Sequence, residues 1–460
     1  MYRTSVQKVI FPMLELGHGS GIQRRLAFLQ DSERWDLSRL RNFQEEKLRR
    51  LLNHAYEHVP YYRRVFRERN LLPKNIDPSN LDRLPILDKD TIRNHQRDLL
   101  ATNIPKARLI HSATSGSTGQ PLEFYRTRQQ EDWYWALRYR AWAWGGYELG
   151  DPYIRASWKK RPMKKKVQHW LTRCTYFQFA HVNDALLDRY IRRMRGSRIR
   201  FAEGFPSTFF LLANYARKQG VDDIRLESIM TSGEMLFPHY RSLIESQFHT
   251  RIFDNYAAGG EGLTMAAQCE FRQGYHMNME SVVLEFLLNE RPVAAGEVGK
   301  IYITALDNFA FPLIRYDIED VGRPTTQKCP CGRHLTLMES VEGRTADIIV
   351  TPEGYFIGVS FFMALFKQVS GIQTFQIVQE KDYRLHIRIV KNNAFPSNGV
   401  DSLRRKISEM CNNTLEMQFE FVDDIAPASS NKRRFVISHA PLNSPVSVAD
   451  QSPQLEKIAV

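Results

Sequence analysis

The chain has 460 residues, of which 43% are hydrophobic and 25% charged, an ordinary globular balance with room for two domains. No apolar run approaches the ~20 residues of a membrane-spanning helix, and five cysteines, an odd number and widely spaced except for Cys329 and Cys331, do not make a disulfide framework. The net charge of +13 suits an anionic ligand, a nucleic acid or an acidic membrane surface.

The N-terminal stretch MYRTSVQKVIFPMLELGHG has a short apolar patch broken by Pro12 and Glu15. It lacks the h-region and cleavage site of a signal peptide, so a cytoplasmic location is expected. Residues 36 to 70 are expected to be helical, because Leu48, Leu51, Leu52, Ala55, Tyr56 and Val59 recur at helical spacing. Pro60 stops that helix. Leu84 to Leu87, followed by Asp88 and Lys89, read as a turn entering a helix.

The segment His111 to Tyr125, HSATSGSTGQPLEFY, predicts a strand, a small-residue loop and a second strand. Gly116 and Gly119 let the backbone approach a ligand. The hydroxyls of Thr114, Ser115, Ser117 and Thr118, with successive N–H groups, can form a nest for phosphate oxygens. A plain Ser/Gly turn is the other reading. It is not a Walker loop, since no Gly-Lys-Ser/Thr follows.

Residues 129 to 144 predict a helix rich in Trp133, Trp135, Tyr139, Trp142 and Trp144, serving as core or lining an acyl pocket. The basic run Lys159, Lys160, Arg161, Lys164, Lys165 and Lys166 reads as a solvated loop or helix face. Trp158 and Trp170 lie near it, but no nucleic-acid motif accompanies them, so no nucleic-acid partner is expected.

Residues 201 to 216 predict a strand, a turn and a helix N-capped by Ser207. Ile229 to Glu234, IMTSGE, is a strand ending in a small turn. A helix after Pro238 and a strand at Arg251 to Phe253 complete a βαβ unit. Asn255 to Gly262, NYAAGGEG, follows with Glu261. Residues 280 to 306 predict strands around Gly296 and Gly299. Arg315 and Asp317 are compatible with a surface ion pair. Cys269, His276, Cys329 and Cys331 supply three thiols and an imidazole, a closed zinc set; buried free cysteines are the alternative. Beyond residue 348, strands at Phe375 to Val378, Leu385 to Val390 and Met417 to Val422, with a helix at Val400 to Cys411, predict a small α+β unit. After Pro441 the composition suggests a loose tail.

Thr114 to Pro121 resembles the phosphate loop TSGSTGxP of the adenylate-forming, acyl-activating superfamily, and the run LRRLLNHAYEHVPYYRRVF resembles its phenylacetate–CoA ligase-like and CapK-type branch. The resemblance extends through six motifs in order, over about residues 36 to 440. It implies an α/β fold with a large N-terminal core (1–343, holding the ATP, acyl and zinc sites), a small mobile α+β C-terminal lid (344–440) and a tail (441–460). It implies that Ser115 and Ser117 hold phosphate, together with Thr114, Gly116 and Gly119. Thr118 and Glu261 assist Mg²⁺, and Ser232, Gly233 and Glu234 lie against adenine beside Tyr256. Asp320 and Arg344 hold ribose, and Asp347 is the hinge. Lys432 is the catalytic lysine, with Arg433 in its place if the register slips by one.

Two departures stand out. Glu261 is five residues after Tyr256, where the family has four, so either the loop bulges or the metal geometry differs. Glu319 stands where the family has glycine. The implied reaction is activation of a carboxylic acid by ATP to an acyl-adenylate, with CoA as acceptor. The alternatives are a capsule or surface-polysaccharide acceptor, a deazaflavin coenzyme receiving AMP, or a degenerate ATP-binding homologue. A homodimer is compatible with the sequence.

Overall fold

The computed structural model describes residues 2–113, 122–157, 163, 165–179, 183–344, 348–352, 356–410, 414–426 and 434–440. The chain divides into two compact units. The first contains Met1–Leu284, Ile303–Tyr316 and Thr326–Met338; the second contains Glu285–Tyr302, Asp317–Thr325 and Glu339–Val460.

The first unit opens with helices. α1 (Tyr2–Ser5) and α2 (Phe11–His18) flank a π-helical turn at Val6–Ile10. α3 (Ile22–Ser32) leads to α4 (Leu37–His58) and α5 (Pro60–Glu68). The expected periodicity holds in α4, where Leu48, Leu51, Leu52 and Ala55 are fully buried and Asp36 caps the N-terminus through the Arg39 N–H. Pro60 ends α4 and also starts α5, because it has no N–H to contribute to a preceding turn and its fixed φ suits the first position of a new one. α6 (Lys89–Asn94) is capped by Asp88.

β1 (Ile110–Ala113) and β2 (Glu123–Arg126) pair antiparallel, with Ala113 opposite Glu123. The strand–loop–strand expectation therefore holds at both ends of the serine-rich segment. α7 (Arg128–Trp144) then runs across the unit, burying Trp142 and Trp144 and leaving Trp133, Trp135 and Tyr139 half-buried. Inside it Arg140 donates to Glu280 at 2.6 Å with both side chains buried, and Ser32 and Asn278 complete their hydrogen bonds. Such a pair is costly to break from one side, since the other charge is left without a partner in low dielectric.

The sheet follows: β3 (Tyr153–Ser157), α8 (Lys165–Leu171), β4 (Cys174–Gln178), α9 (Asp184–Arg195), β5 (Phe201–Gly204), α10 (Pro206–Lys218), β6 (Ser228–Ser232), α11 (Pro238–Phe248), β7 (Arg251–Ala258), β8 (Leu263–Ala267) and β9 (Tyr275–Met277). Its order is β4-β3-β5-β6-β7-β8-β9, parallel as far as β7 and antiparallel beyond. The expected βαβ unit is β6–α11–β7, with β7 five residues longer than its predicted end at Phe253. The core beneath it joins Ile154, Phe177, Phe209, Leu212, Ile229 and Ile252. Both faces of the parallel strands are covered, so their residues read as apolar runs rather than alternating ones.

Mostly in the second unit, β10 (Val282–Leu288), β11 (Arg291–Pro292), β12 (Gly299–Ala305), β13 (Tyr316–Pro324) and β14 (Leu337–Arg344) supply strands in the order β11-β10-β12-β13-β14. β15 (Ile348–Val350) and β16 (Phe356–Gly358) form a hairpin. α12 (Val359–Lys367), β17 (Ile372–Gln379), β18 (Leu385–Lys391), α13 (Gly399–Met410), β19 (Met417–Phe421) and β20 (Val436–Ser438) complete an α+β fold with sheet order β19-β18-β17-β20. The fold class is therefore α/β with a separate C-terminal domain.

Candidate active site and metal centre

Open α/β sheets bind ligands outside the carboxyl ends of their parallel strands, and in the first unit Ser232 ends β6 while Tyr256 lies near the end of β7. Thr114, Ser115, Gly116, Ser117, Thr118 and Gly119 lie outside the described residues, but the strands on either side are anchored. Arg126, at the end of β2, donates from Nη1 to Ser112 Oγ at 2.6 Å and pairs with Glu131 at 2.6 Å. Ser112 in turn donates to the Gly260 carbonyl at 2.6 Å. Gly262 has φ +72, a left-handed conformation that glycine enters freely, and a Cβ there would stand 2.8 Å from the Arg126 side chain.

Between these glycines, Glu261 is 7% exposed. Its carbonyl accepts from Gln130 at 3.3 Å and its carboxylate from the Tyr316 hydroxyl at 3.4 Å. The extra residue between Tyr256 and Glu261 is accompanied by an irregularity in the β7–β8 ladder. Tyr256 faces Ala266 whereas Ala257 faces Thr264, so the unpaired residue is Met265 on the opposing strand. The hard oxygen donor needed for a divalent cation is thus present, buried and held from two sides.

Ser232 ends β6, with Asn255 of β7 opposite it. Gly233 turns with φ +80 against the Phe205 ring, 3.0 Å from where a Cβ would lie. Ser207 was expected to cap α10. Instead Phe205 occupies the cap position and Pro206 is the first helical residue. Proline lacks an N–H and is preorganised for that place, which moves Ser207 into the first turn. Its backbone N–H donates to the Glu234 carboxylate at 3.2 Å, coupling the two motifs.

Below Ser232 lies a charge network that sequence reasoning missed. Glu203 on β5 receives Arg138 of α7 at 3.0 Å and Arg155 of β3 through a second, short ion pair. The Arg138 Nη1 is 3.4 Å from both Ser232 Oγ and the Tyr134 hydroxyl, and its guanidinium lies 5.7 Å from the Trp135 ring centre. Tyr134 also reaches to 3.8 Å from where a Gly259 Cβ would be. The signal available in sequence was a glutamate inside a short buried strand, FAEG, which requires a cation partner. Arg315 does not fit a surface ion pair, one reading compatible with the sequence. It is 2% exposed and donates to the Leu84 carbonyl at 2.7 Å.

The four sulfur and nitrogen donors converge as expected. Cys269, His276, Cys329 and Cys331 present ligand atoms all within 4.8 Å of one another. Cys269 Sγ is 3.5 Å from Cys329 Sγ, and Cys331 Sγ is 3.4 Å from His276 Nε2. A tetrahedral site with Zn–S near ~2.3 Å needs donors about 3.8 Å apart, so the set fits zinc with no open position. Burial pushes the Cys269 thiol up to about 12 and the His276 imidazole down to about 4. Both shifts record the cost of charge in this pocket, which a bound cation would offset for the thiolates.

In the second unit, Asp320 lies on β13 directly after Glu319, whose φ is +64. The position where the resemblance has glycine thus keeps a left-handed backbone. The Glu319 N–H donates to Asp317 Oδ1 at 2.8 Å, closing a local turn. Arg344 ends β14. Asp347, Lys432 and Arg433 lie outside the described residues.

A family model of the CapK C-terminal domain matches residues 349–439. The chain is 27% identical over 322 residues to a phenylacetate–coenzyme A ligase of Thermus thermophilus, across 68% of this chain and 72% of that one. It is 22% identical over 407 residues to Protein CapK of Staphylococcus aureus, across 86% of this chain and 88% of that one. Among solved structures, a 2-hydroxyisobutyryl-CoA ligase in complex with an acyl-AMP superposes with a TM-score of 0.71 at 21% identity, covering 88% of this chain and 90% of that chain. By these likenesses the chain is similar to the phenylacetate–coenzyme A ligases and to CapK in sequence, and to an acyl-CoA ligase in fold.

Proposed function

We propose that the chain activates a carboxylic acid with ATP, forming an acyl-adenylate and pyrophosphate, and then transfers the acyl group to the thiol of CoA with release of AMP. The observation that carries this reading is the convergence of Ser232–Glu234, Tyr256 and Glu261 at the carboxyl ends of β6 and β7, beside the anchored ends of the serine-rich loop. In the first step a carboxylate oxygen attacks the α-phosphorus and the pyrophosphate oxygen leaves. Both reactants are anionic, so positioned cations and N–H donors lower the barrier.

Ser115 and Ser117 hold phosphate, while Asp320 and Arg344 take the ribose hydroxyls. Thr118 and Glu261 are the oxygen donors for Mg²⁺, which would neutralise the departing pyrophosphate. Lys432 stabilises the charge developing at the α-phosphate. Asp347 is the pivot between the core, 1–343, and the lid, 344–440. The Cys269, His276, Cys329 and Cys331 set is a structural zinc site. The reaction belongs in the cytoplasm.

A second reading keeps the adenylate and changes the acceptor. The likeness of residues 349–439 to the CapK C-terminal domain is what motivates this reading, in which an acceptor in surface-polysaccharide synthesis replaces CoA. Pyrophosphate release from Mg·ATP across a panel of aryl, hydroxy and fatty acids, each with and without CoA, tests both. Acid-dependent release supports activation, and a CoA thioester among the products selects the first reading. Lys432→Ala should slow adenylation by about 10²-fold or more with ATP binding nearly intact. No release with any acid would overturn the proposal.

A further inference from the structure

The described residues include ten large hydrophobic side chains that are exposed, and seven of them fall on two short segments. On the N-terminal helices these are Tyr2, Val9, Met13 and Leu16, the last 83% exposed. Around α8 they are Met163, Val167 and Trp170, the tryptophan 72% exposed. Val9, Met13 and Leu16 follow one another at helical spacing, as do Val167 and Trp170 within α8, so each group forms one stripe. Soluble proteins seldom leave such apolar groups clustered without a partner.

The two stripes adjoin. The Tyr2 hydroxyl donates to the Leu171 carbonyl at 3.4 Å, and the Arg173 guanidinium lies over the Tyr2 ring at 5.1 Å. Each helix is fixed to the first unit by its opposite face. Val6 is fully buried and Phe11 packs edge-on against Tyr139, while His169 is buried and stacked on Tyr176. The stripes are therefore held outward by a packed scaffold and are not frayed ends.

The segment around α8 carries one sign of charge, whereas Arg3 of α1 pairs with Glu148 and Asp151. From Trp158 to Arg173 the sequence carries seven Lys or Arg residues and no Asp or Glu. Lys8 and Lys166 are exposed within the helices themselves. An exposed apolar stripe with a tryptophan, in a segment whose sequence is strongly basic, matches an in-plane amphipathic element on a bilayer. The negative surface potential of anionic lipid supplies the complementary field. A second copy of the chain would bring the basic segment against itself. A nucleic acid would find aliphatic Leu16, Met13 and Val9 where it needs rings to stack on. No helix among the described residues is long and apolar enough to cross a membrane, so the contact is peripheral.

We propose that α1, α2 and α8 form a docking face for an anionic lipid surface, so that the enzyme acts beside a membrane. Co-sedimentation of the full chain with vesicles of phosphatidylcholine, or of phosphatidylcholine with phosphatidylglycerol, tests it. Partitioning onto the anionic vesicles at least tenfold above the neutral ones, weakening with salt, is the expected result. Leu16→Glu and Trp170→Glu should each reduce that partitioning about tenfold or more without lowering the melting temperature or the pyrophosphate release rate. Absence of binding to anionic vesicles at low salt would overturn the proposal. So would binding undiminished by both substitutions, or a stable dimer that Leu16→Glu dissociates when the wild type ignores vesicles.

Discussion

Ser112 and Gly260 stand 148 residues apart in sequence and share a 2.6 Å hydrogen bond from the serine hydroxyl to the glycine carbonyl. That bond fastens the strand entering the serine-rich loop to the turn that carries Glu261. Ser112→Ala removes it and frees the Arg126 Nη1 as well. The expected stability loss is about 1 kcal/mol, the net value of a partly buried hydrogen bond. The rate loss should be larger, about tenfold to a hundredfold in kcat for pyrophosphate release, because small displacements of reacting groups are amplified in the barrier. Steady-state kinetics beside a urea unfolding curve would check the contrast. Equal free-energy losses in both would show that the bond is only structural.

Glu203 balances one of the two guanidiniums that flank it, and the asymmetry predicts an order of stability. Arg138→Met leaves Glu203 paired with Arg155, a neutral buried pair. Glu203→Gln leaves Arg138 and Arg155 in the same low-dielectric pocket without their carboxylate. The second change should cost about 3 kcal/mol or more and the first clearly less, following the penalty for an uncompensated buried charge. Thermal melts of the two variants decide it. The opposite order would mean that the pocket is wet enough to solvate both cations.

Much of this architecture was legible because local periodicity and tertiary burial agree. The α4 stripe, the strands flanking the loop and the β6–α11–β7 unit all follow from spacing and turn residues. The four thiol and imidazole groups are separated by up to 62 residues, from Cys269 to Cys331, yet their chemistry picked them out before any geometry. Other features depend on pairing that a linear pattern does not encode. The Arg138–Glu203–Arg155 network joins α7, β5 and β3, and each residue alone reads as an ordinary charge. α12, VSFFMALFK, was not anticipated because it is apolar on more than one side, with Phe362, Met363, Leu365 and Phe366 all buried, so no period shows. Ser207 was misplaced because a proline one position earlier outweighs a capping hydroxyl. The short β20 is set only by its parallel pairing with β17.

The thiol and imidazole cluster makes a metal prediction. Purified protein should carry about one zinc per chain, measured by elemental analysis. Cys329→Ser or Cys331→Ser should abolish retention of the metal and lower the melting temperature by several degrees, roughly the effect of losing 2–3 kcal/mol in a domain of this size. Pyrophosphate release by the surviving folded fraction should persist, since four protein ligands leave the ion no position for substrate. Loss of chemistry with an unchanged melting temperature would assign the metal to the reaction instead.

Glu319 offers a test of backbone strain next to Asp320. Its φ of +64 is a conformation that glycine enters freely and that a Cβ disfavours by about 1 kcal/mol. The Asp317 carboxylate accepts its N–H at 2.8 Å, which holds the turn against that preference. Glu319→Gly should therefore leave the chain as stable or up to about 1 kcal/mol more stable, the relief of strain offset in part by a more flexible unfolded state. Glu319→Val should destabilise by more than 1 kcal/mol, because a β-branched side chain is the least tolerant of this region. If Asp320 holds the ribose, the valine variant should also raise the KM for ATP more than the glycine variant does, since the distorted turn is the one that aims the Asp320 carboxylate. Unfolding curves and ATP kinetics on the two variants give the answer. A glycine variant that is less stable than the valine variant would mean that side-chain contacts of Glu319, and not its backbone angle, decide what stands at this position.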